Sequence, residues 1–331
     1  MKKIFALYAA ALLLSACDYA FDPKIDVTED RMFLQSYVSD ADTTFIRLSR
    51  TVPLDGAKIP GTDYKIEEFR VRAGGQDVEV RRKDDWRWYF LGHNAPGTAL
   101  DVYVKAAGVE PVSAQTVVPD APRLAAVRQD PVSIGDRDLA KVTVTLADDP
   151  VPDAHYGIAY FLESHVIWTT TDEEGTEERG EATDISSLYP TSPTDTESII
   201  AELEEQSWTI FYFNPNWDYR YGNAQILVLS GREIQDRTVV QYYNLYEDSE
   251  HSYDWGDGYT HYSKASYRWK VKLYRLSDAC YNYMMARNNE GYSELAMFGL
   301  IPPCFTYSNV DGGYGAFVSL SSAESPWHGS N

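Results

Sequence analysis

Between Met32 and Val117 the chain alternates apolar and polar residues in seven short runs, and nothing among them keeps a helical period. The runs are residues 32–38, 45–48, 69–72, 78–80, 86–91, 100–104 and 112–117, all rich in β-branched and aromatic side chains. Alternation sends successive side chains to opposite faces of an extended backbone, so each run reads as a strand with one face on a core. Gly74-Gly75, Lys83-Asp84-Asp85 and Ala95-Pro96-Gly97 supply turn chemistry between them. Seven strands at near-regular spacing predict an immunoglobulin-like β-sandwich over residues 31–119. The segment Val118-Pro119-Asp120-Ala121-Pro122 lacks ladder donors and marks the end of that unit.

Residues 120–331 read as a larger β-rich domain, a sandwich or barrel-like body. Runs at 141–146, 156–162, 165–171, 225–229, 238–243 and 267–274 carry strand patterns. Two short helices are expected to cover a sheet. Thr194 and Glu197 fit a capping box ahead of Ile199, Ile200 and Leu203. Ser277 or Asp278 caps the second helix, in which Cys280/Met284 and Tyr281/Met285 stand four residues apart.

Ahead of the strands lies a different signal. Met1-Lys2-Lys3, an apolar run from Ile4 to Leu14 and Leu14-Ser15-Ala16-Cys17 form a lipoprotein leader over residues 1–16, with Cys17 as the lipid-bearing N-terminus. The apolar run is too short to span a bilayer, which takes about 20 residues. Residues 17–30 then serve as a lipidated tether. Asp18 after Cys17 matches an inner-membrane retention signal of some bacteria, which leaves the choice of membrane open.

With Lys2 and Lys3 removed in the leader, the formal charge moves from -21 to -23, an acidity that disfavours nucleic acid as a partner. Cys280 and Cys304 are left after lipidation. An oxidising compartment favours a disulfide between them, and two separate buried thiols are the alternative.

Enzyme signatures are missing: no Gly-x-Ser-x-Gly, no His-Glu-x-x-His, no Walker loop and no Cys-x-x-Cys. No catalytic residue, cofactor or metal is assigned. What departs from the average is aromatic content. Sixteen aromatic residues occupy the 62 positions from Trp208 to Trp269, about twice the chain's 14%. Two clusters give the candidate ligand-binding residues: Trp217 and Tyr219 in the first, and Tyr253, Asp254, Trp255, Asp257, Tyr259 and His261 in the second. Loop formers beside them favour recognition of a glycan, a peptide or another partner, whereas packing in a β core is the plainer role. Asp254, Asp257 and His261 do not have EF-hand spacing. The acidic run from Asp172 to Glu181 reads as a solvated hairpin turning at Glu174-Gly175. Near the C-terminus, Gly312, Gly313 and Gly315 read as a bend feeding a closing strand, with Asn309 bonding nearby backbone.

The segments Val112-Ser-Ala-Gln-Thr-Val-Val-Pro119, Thr145-Leu-Ala-Asp-Asp-Pro150, Leu273-Tyr-Arg-Leu-Ser-Asp-Ala-Cys-Tyr-Asn-Tyr-Met284 and Tyr307-Ser-Asn-Val-Asp-Gly-Gly-Tyr-Gly-Ala-Phe317 give the chain a family likeness. It resembles the exported lipoproteins grouped as domain of unknown function 4249. The resemblance implies a lipid-anchored outer-membrane protein at the cell surface, paired with a TonB-dependent transporter in nutrient or metal-complex uptake, and it carries over no catalytic residue. A non-catalytic ligand-capture subunit is the favoured expectation. A lipid-anchored glycan or peptide hydrolase and a surface adhesin are the alternatives.

Overall fold

The computed structural model describes residues 31–50, 64–191, 210–213, 224–254, 259–291 and 307–329. The protein is mainly β, as the alternation requires, with about two thirds of the described residues in strands and a single helix among them. In chain order the first strands are β1 (Met32–Val38), β2 (Thr43–Arg50), β3 (Ile66–Ala73), β4 (Gln76–Val78), β5 (Val80–Arg82), β6 (Arg87–Leu91), β7 (Ala99–Ala106) and β8 (Val112–Val117). Next come β9 (Leu124–Ile134), β10 (Arg137–Leu146), β11 (His155–Thr171), β12 (Glu177–Leu188), β13 (Ile210–Phe213), β14 (Ala224–Ser230), β15 (Thr238–Asn244), β16 (Ser249–Asp254) and β17 (Thr260–Leu276). One helix, α1 (Asp278–Gly291), precedes β18 (Val310–Asp311), β19 (Tyr314–Glu324) and β20 (His328–Gly329).

The first eight strands form the expected immunoglobulin-like sandwich. Sheet β1-β2-β6-β5 faces sheet β8-β7-β3-β4 across a core that includes Leu34, Ile46, Phe90, Val102 and Val112. That core also takes Val310 and Phe317 from the far end of the chain. β18 pairs with β8, and β19 runs parallel to β1 from Phe33↔Tyr314 to Val38↔Ser319. The glycine-rich stretch makes this possible. Gly315 has φ +113°, and a Cβ there would collide with the Leu34 carbonyl. Asn309 locks the approach, donating from Nδ2 to the Phe317 carbonyl at 2.9 Å and accepting from the Phe317 N–H at 2.9 Å.

β19 continues beyond the sandwich, pairing its later residues with β17 (Leu276↔Leu320 to Lys272↔Glu324). The fully buried Ser319 ties it to the end of β8. Its hydroxyl accepts from Thr116 Oγ1 at 2.8 Å and donates to the Val117 carbonyl at 2.5 Å. One continuous sheet therefore runs β13-β14-β11-β17-β19-β1-β2-β6-β5.

In the C-terminal half, β11 and β17 pair over all 17 residues of each. Their proximal halves are buried on both faces. Tyr156, Ile158, Tyr160, Leu162, Val271 and Leu273 pack toward the three-stranded sheet β15-β10-β9, while Ala159, Tyr274 and Leu276 pack with Cys280, Tyr283 and Met284 of α1. Ser277 caps α1 as anticipated, accepting from the Cys280 N–H at 3.2 Å. The expected helix near Thr194 to Gln206 lies outside the described residues.

The disulfide expectation is corrected. Cys280 is a free, fully buried thiol with its Sγ 3.8 Å from Met284 Sδ, and burial pushes its pKa up to about 12. The first turn of α1 aims this side chain into the core, where it packs as a small apolar group. Cys304 is outside the described residues.

Candidate ligand-binding arm

Beyond Leu162 the β11/β17 pair leaves the core and continues as an arm. β12 flanks β11 from Tyr160↔Leu188 to Thr171↔Glu177, and β16 flanks β17 from Ser249↔Ala265 to Asp254↔Thr260. The distal arm is thus a four-stranded sheet, β12-β11-β17-β16. Its end is closed on one side by the acidic hairpin, where the Asp172 carboxylate accepts the Glu174 and Thr176 N–H groups and Gly175 has φ +82°. The hairpin is where the acidic run predicted it.

Residues directly opposite in an antiparallel ladder share a face. One face of the arm therefore carries cross-strand rows. Glu178, Thr170, His261 and Tyr253 make the outermost row, followed by Gly180, Trp168, Ser263 and His251. Ala182, Val166, Ala265 and Ser249 come next, and then Asp184, Ser164 and Tyr267. Farther in, the same face becomes the core around Leu162 and Trp269. The rings on it are open to solvent: Trp168 is 41% exposed and Tyr253 37%. Trp168 lies flat across Gly180, where a Cβ would strike the indole. At the tip Tyr253 stacks on His261 with centroids 5.4 Å apart, Tyr259 stands 6.3 Å from the same ring, and Thr170 Oγ1 lies 3.4 Å from His261 Nδ1.

The opposite face differs in charge. There Arg179 pairs with Glu177, Arg268 with Glu163, and Lys264 with Glu250 at 2.6 Å. The hydrogen bond from Lys264 holds the Glu250 carboxyl below the usual carboxylate range and raises the lysine in return. These ion pairs hold the cations on their own face and leave the aromatic one without an arginine or lysine among its described rows.

Of the residues singled out from the sequence, Tyr253, Tyr259 and His261 come together at the tip of the arm. Asp254 pairs with Thr260, which sets it on the face opposite His261, so these two do not converge on a common cation. Among the described residues no group of three or more His, Cys, Asp or Glu gathers as metal ligands. Trp217, Tyr219, Trp255 and Asp257 lie outside the described residues, as does Cys17. The sequence reading missed Trp168, Thr170 and Gly180. Their signal was the partner strand, which only the pairing identifies.

A second concavity of about 430 Å³ sits on the outer face of the sandwich between Arg70, Asp101, Tyr103, Gln115 and Asp311. The Arg70 guanidinium lies over the Tyr103 ring at 5.4 Å, and the adjoining Asn309 amide is occupied by backbone. It is shallow and polar.

A family model described as domain of unknown function (DUF4249) matches residues 18–325. The chain belongs to this family. The sequence has no match among curated proteins. Among solved structures it is similar to SGBP-B of the Bacteroides ovatus mixed-linkage glucan utilization locus, in complex with a mixed-linkage heptasaccharide, at 10% identity over 69% of this chain with a TM-score of 0.21. This chain spans about half of that one, 52%. It is also similar to the Enterococcus faecalis MSCRAMM ACE, described as binding its ligands by the collagen Hug model, at 8% identity over 89% of this chain and 98% of that one, with a TM-score of 0.17. Neither likeness determines what this chain binds. No helix among the described residues is long and apolar enough to cross a membrane.

Proposed function

We propose that this protein is a non-catalytic capture subunit, anchored through lipidated Cys17 to the outer membrane at the cell surface, that presents a ligand to a TonB-dependent transporter. The observation that carries the capture role is the arm. A four-stranded sheet extends past its core with Trp168, Tyr253 and Tyr259 all more than a third exposed. Exposed rings cost solvation, and a cluster of them on a rigid sheet suits a recognition surface better than it suits stability. The lipobox and the family resemblance support the anchor and the transporter.

The test is co-purification. Tagged, lipidated protein drawn from detergent-solubilised outer membranes should bring a β-barrel transporter with it, and a Cys17→Ala variant should be released into the soluble fraction. Repeated recovery of the lipoprotein alone counts against the transporter, and a membrane-bound Cys17→Ala variant counts against the anchor.

A further inference from the structure

The arm also constrains its ligand. Over residues 164–184, 248–254 and 259–267 there are ten carboxylates against two cations, Arg179 and Lys264. Both cations lie on the face opposite the aromatic rows and are paired there. The aromatic face therefore has Glu178 level with the Tyr253/His261 stack and Asp184 level with Tyr267, with nothing cationic in the described rows beside its histidines. A negative surface that displays the π faces of Trp and Tyr attracts guanidinium and ammonium groups twice over, through the ring quadrupole and through the carboxylates. It repels anionic glycans and phosphates.

The spacing selects the shape of the cation's carrier. Rows on this face repeat every two residues, about 6.7 Å, because strands rise about 3.3 Å per residue. An extended polypeptide repeats its same-side residues at the same interval. From the Glu178 row to the Asp184 row is six residues of β17, about 20 Å, the reach of roughly seven extended residues. A small amine would engage a single row.

Taking the capture reading as its basis, we infer that the aromatic face of the arm binds an extended, arginine- or lysine-rich segment of polypeptide, its basic side chains set over Trp168 and Tyr253 and against Glu178 and Asp184. The ring of Trp168 lying flat over Gly180 leaves its outer face for such a side chain.

Fluorescence anisotropy on the full lipidated protein in detergent tests this with a labelled heptapeptide alternating arginine and serine, beside the same peptide with citrulline for arginine. Citrulline keeps the shape and removes the charge. The arginine peptide should bind saturably, weaken with added salt, and bind about tenfold or more tighter than the citrulline peptide. The Trp168→Ala variant and the Glu178→Gln/Asp184→Asn double variant should each lose about tenfold. Trp168→Tyr keeps a ring and should retain most of the affinity, which separates loss of the platform from loss of the fold. Equal affinity for the two peptides, or unchanged affinity in the arm variants, overturns the inference. So does a neutral oligosaccharide that displaces the arginine peptide. Transporter recovery is scored in the same variants. Failed peptide binding with the transporter still recovered refutes the ligand chemistry alone, whereas loss of the transporter from the unaltered protein refutes the capture reading.

Discussion

The proximal and distal halves of β11 and β17 share one ladder and one register, yet they do different work. Near the core, Ile158, Val271 and Leu273 are almost fully buried in one apolar cluster, and Ala159 and Tyr274 on the other face are buried in a second. Beyond Leu162 both faces of the same strands meet water, and Ile167 and Trp168 are 39% and 41% exposed. Burial changes along the strand while the secondary structure does not. The ladder supplies rigidity to both halves, and the second apolar layer supplies stability to only one.

Substitutions should separate the halves. Leu273→Ala removes a side chain with no solvent exposure and should lower unfolding free energy by about 2–5 kcal/mol in a denaturant titration. A loss no larger than that of an arm variant would break the distinction. A smaller effect should come from His155, at the start of β11. It stacks on Tyr281 of α1 with centroids 3.6 Å apart, and burial lowers its pKa below 6.5, partly offset by Asp278 and Glu233, with Arg275 adding to the lowering. The unfolded chain then takes up the proton first. Stability should fall as pH drops below about 6.5 and level off once the folded histidine also protonates, and His155→Phe should flatten that slope.

Trp168→Ala, in the distal half, should change unfolding free energy by only about 0.5 kcal/mol, measured beside Leu273→Ala. A large loss would show that the arm supports the core. The smallest effect belongs to reductant. Opening a structural disulfide costs about 2–5 kcal/mol, but with Cys280 free dithiothreitol should leave the thermal midpoint unmoved. In a background where Cys17 and Cys304 are serine, Cys280 should resist alkylation until the protein unfolds, because its thiol is buried and stays protonated.

Much of this architecture was legible. Each of the seven alternating runs falls on or beside a strand of the sandwich, the Ser277 cap and the Glu174-Gly175 turn are in place, and Asn309 bonds backbone as its position near the glycines implied. β11 is instructive because its sequence reads as two runs, 156–162 and 165–171, interrupted at Glu163-Ser164. The strand is continuous. Glu163 is buried yet bonded to Arg268 across the ladder, and a partner from a remote strand cannot be seen in a local pattern. The site was half legible for the same reason. Tyr253, Tyr259 and His261 stood out by composition, but Trp168 belongs with them only because Gly180 opposite it leaves room for the indole.

Period-two alternation and turn chemistry determined by themselves that this protein is built from strands, because facing and bending are local properties of the backbone. The acidity was equally local. Tertiary structure alone decided that β19 joins β1 to β17 in one sheet, that Cys280 packs as an apolar group, and which rings share a face with which carboxylates. Those are pairings between residues far apart in sequence, and pairing in a sheet is settled by register and burial, which no short segment carries on its own.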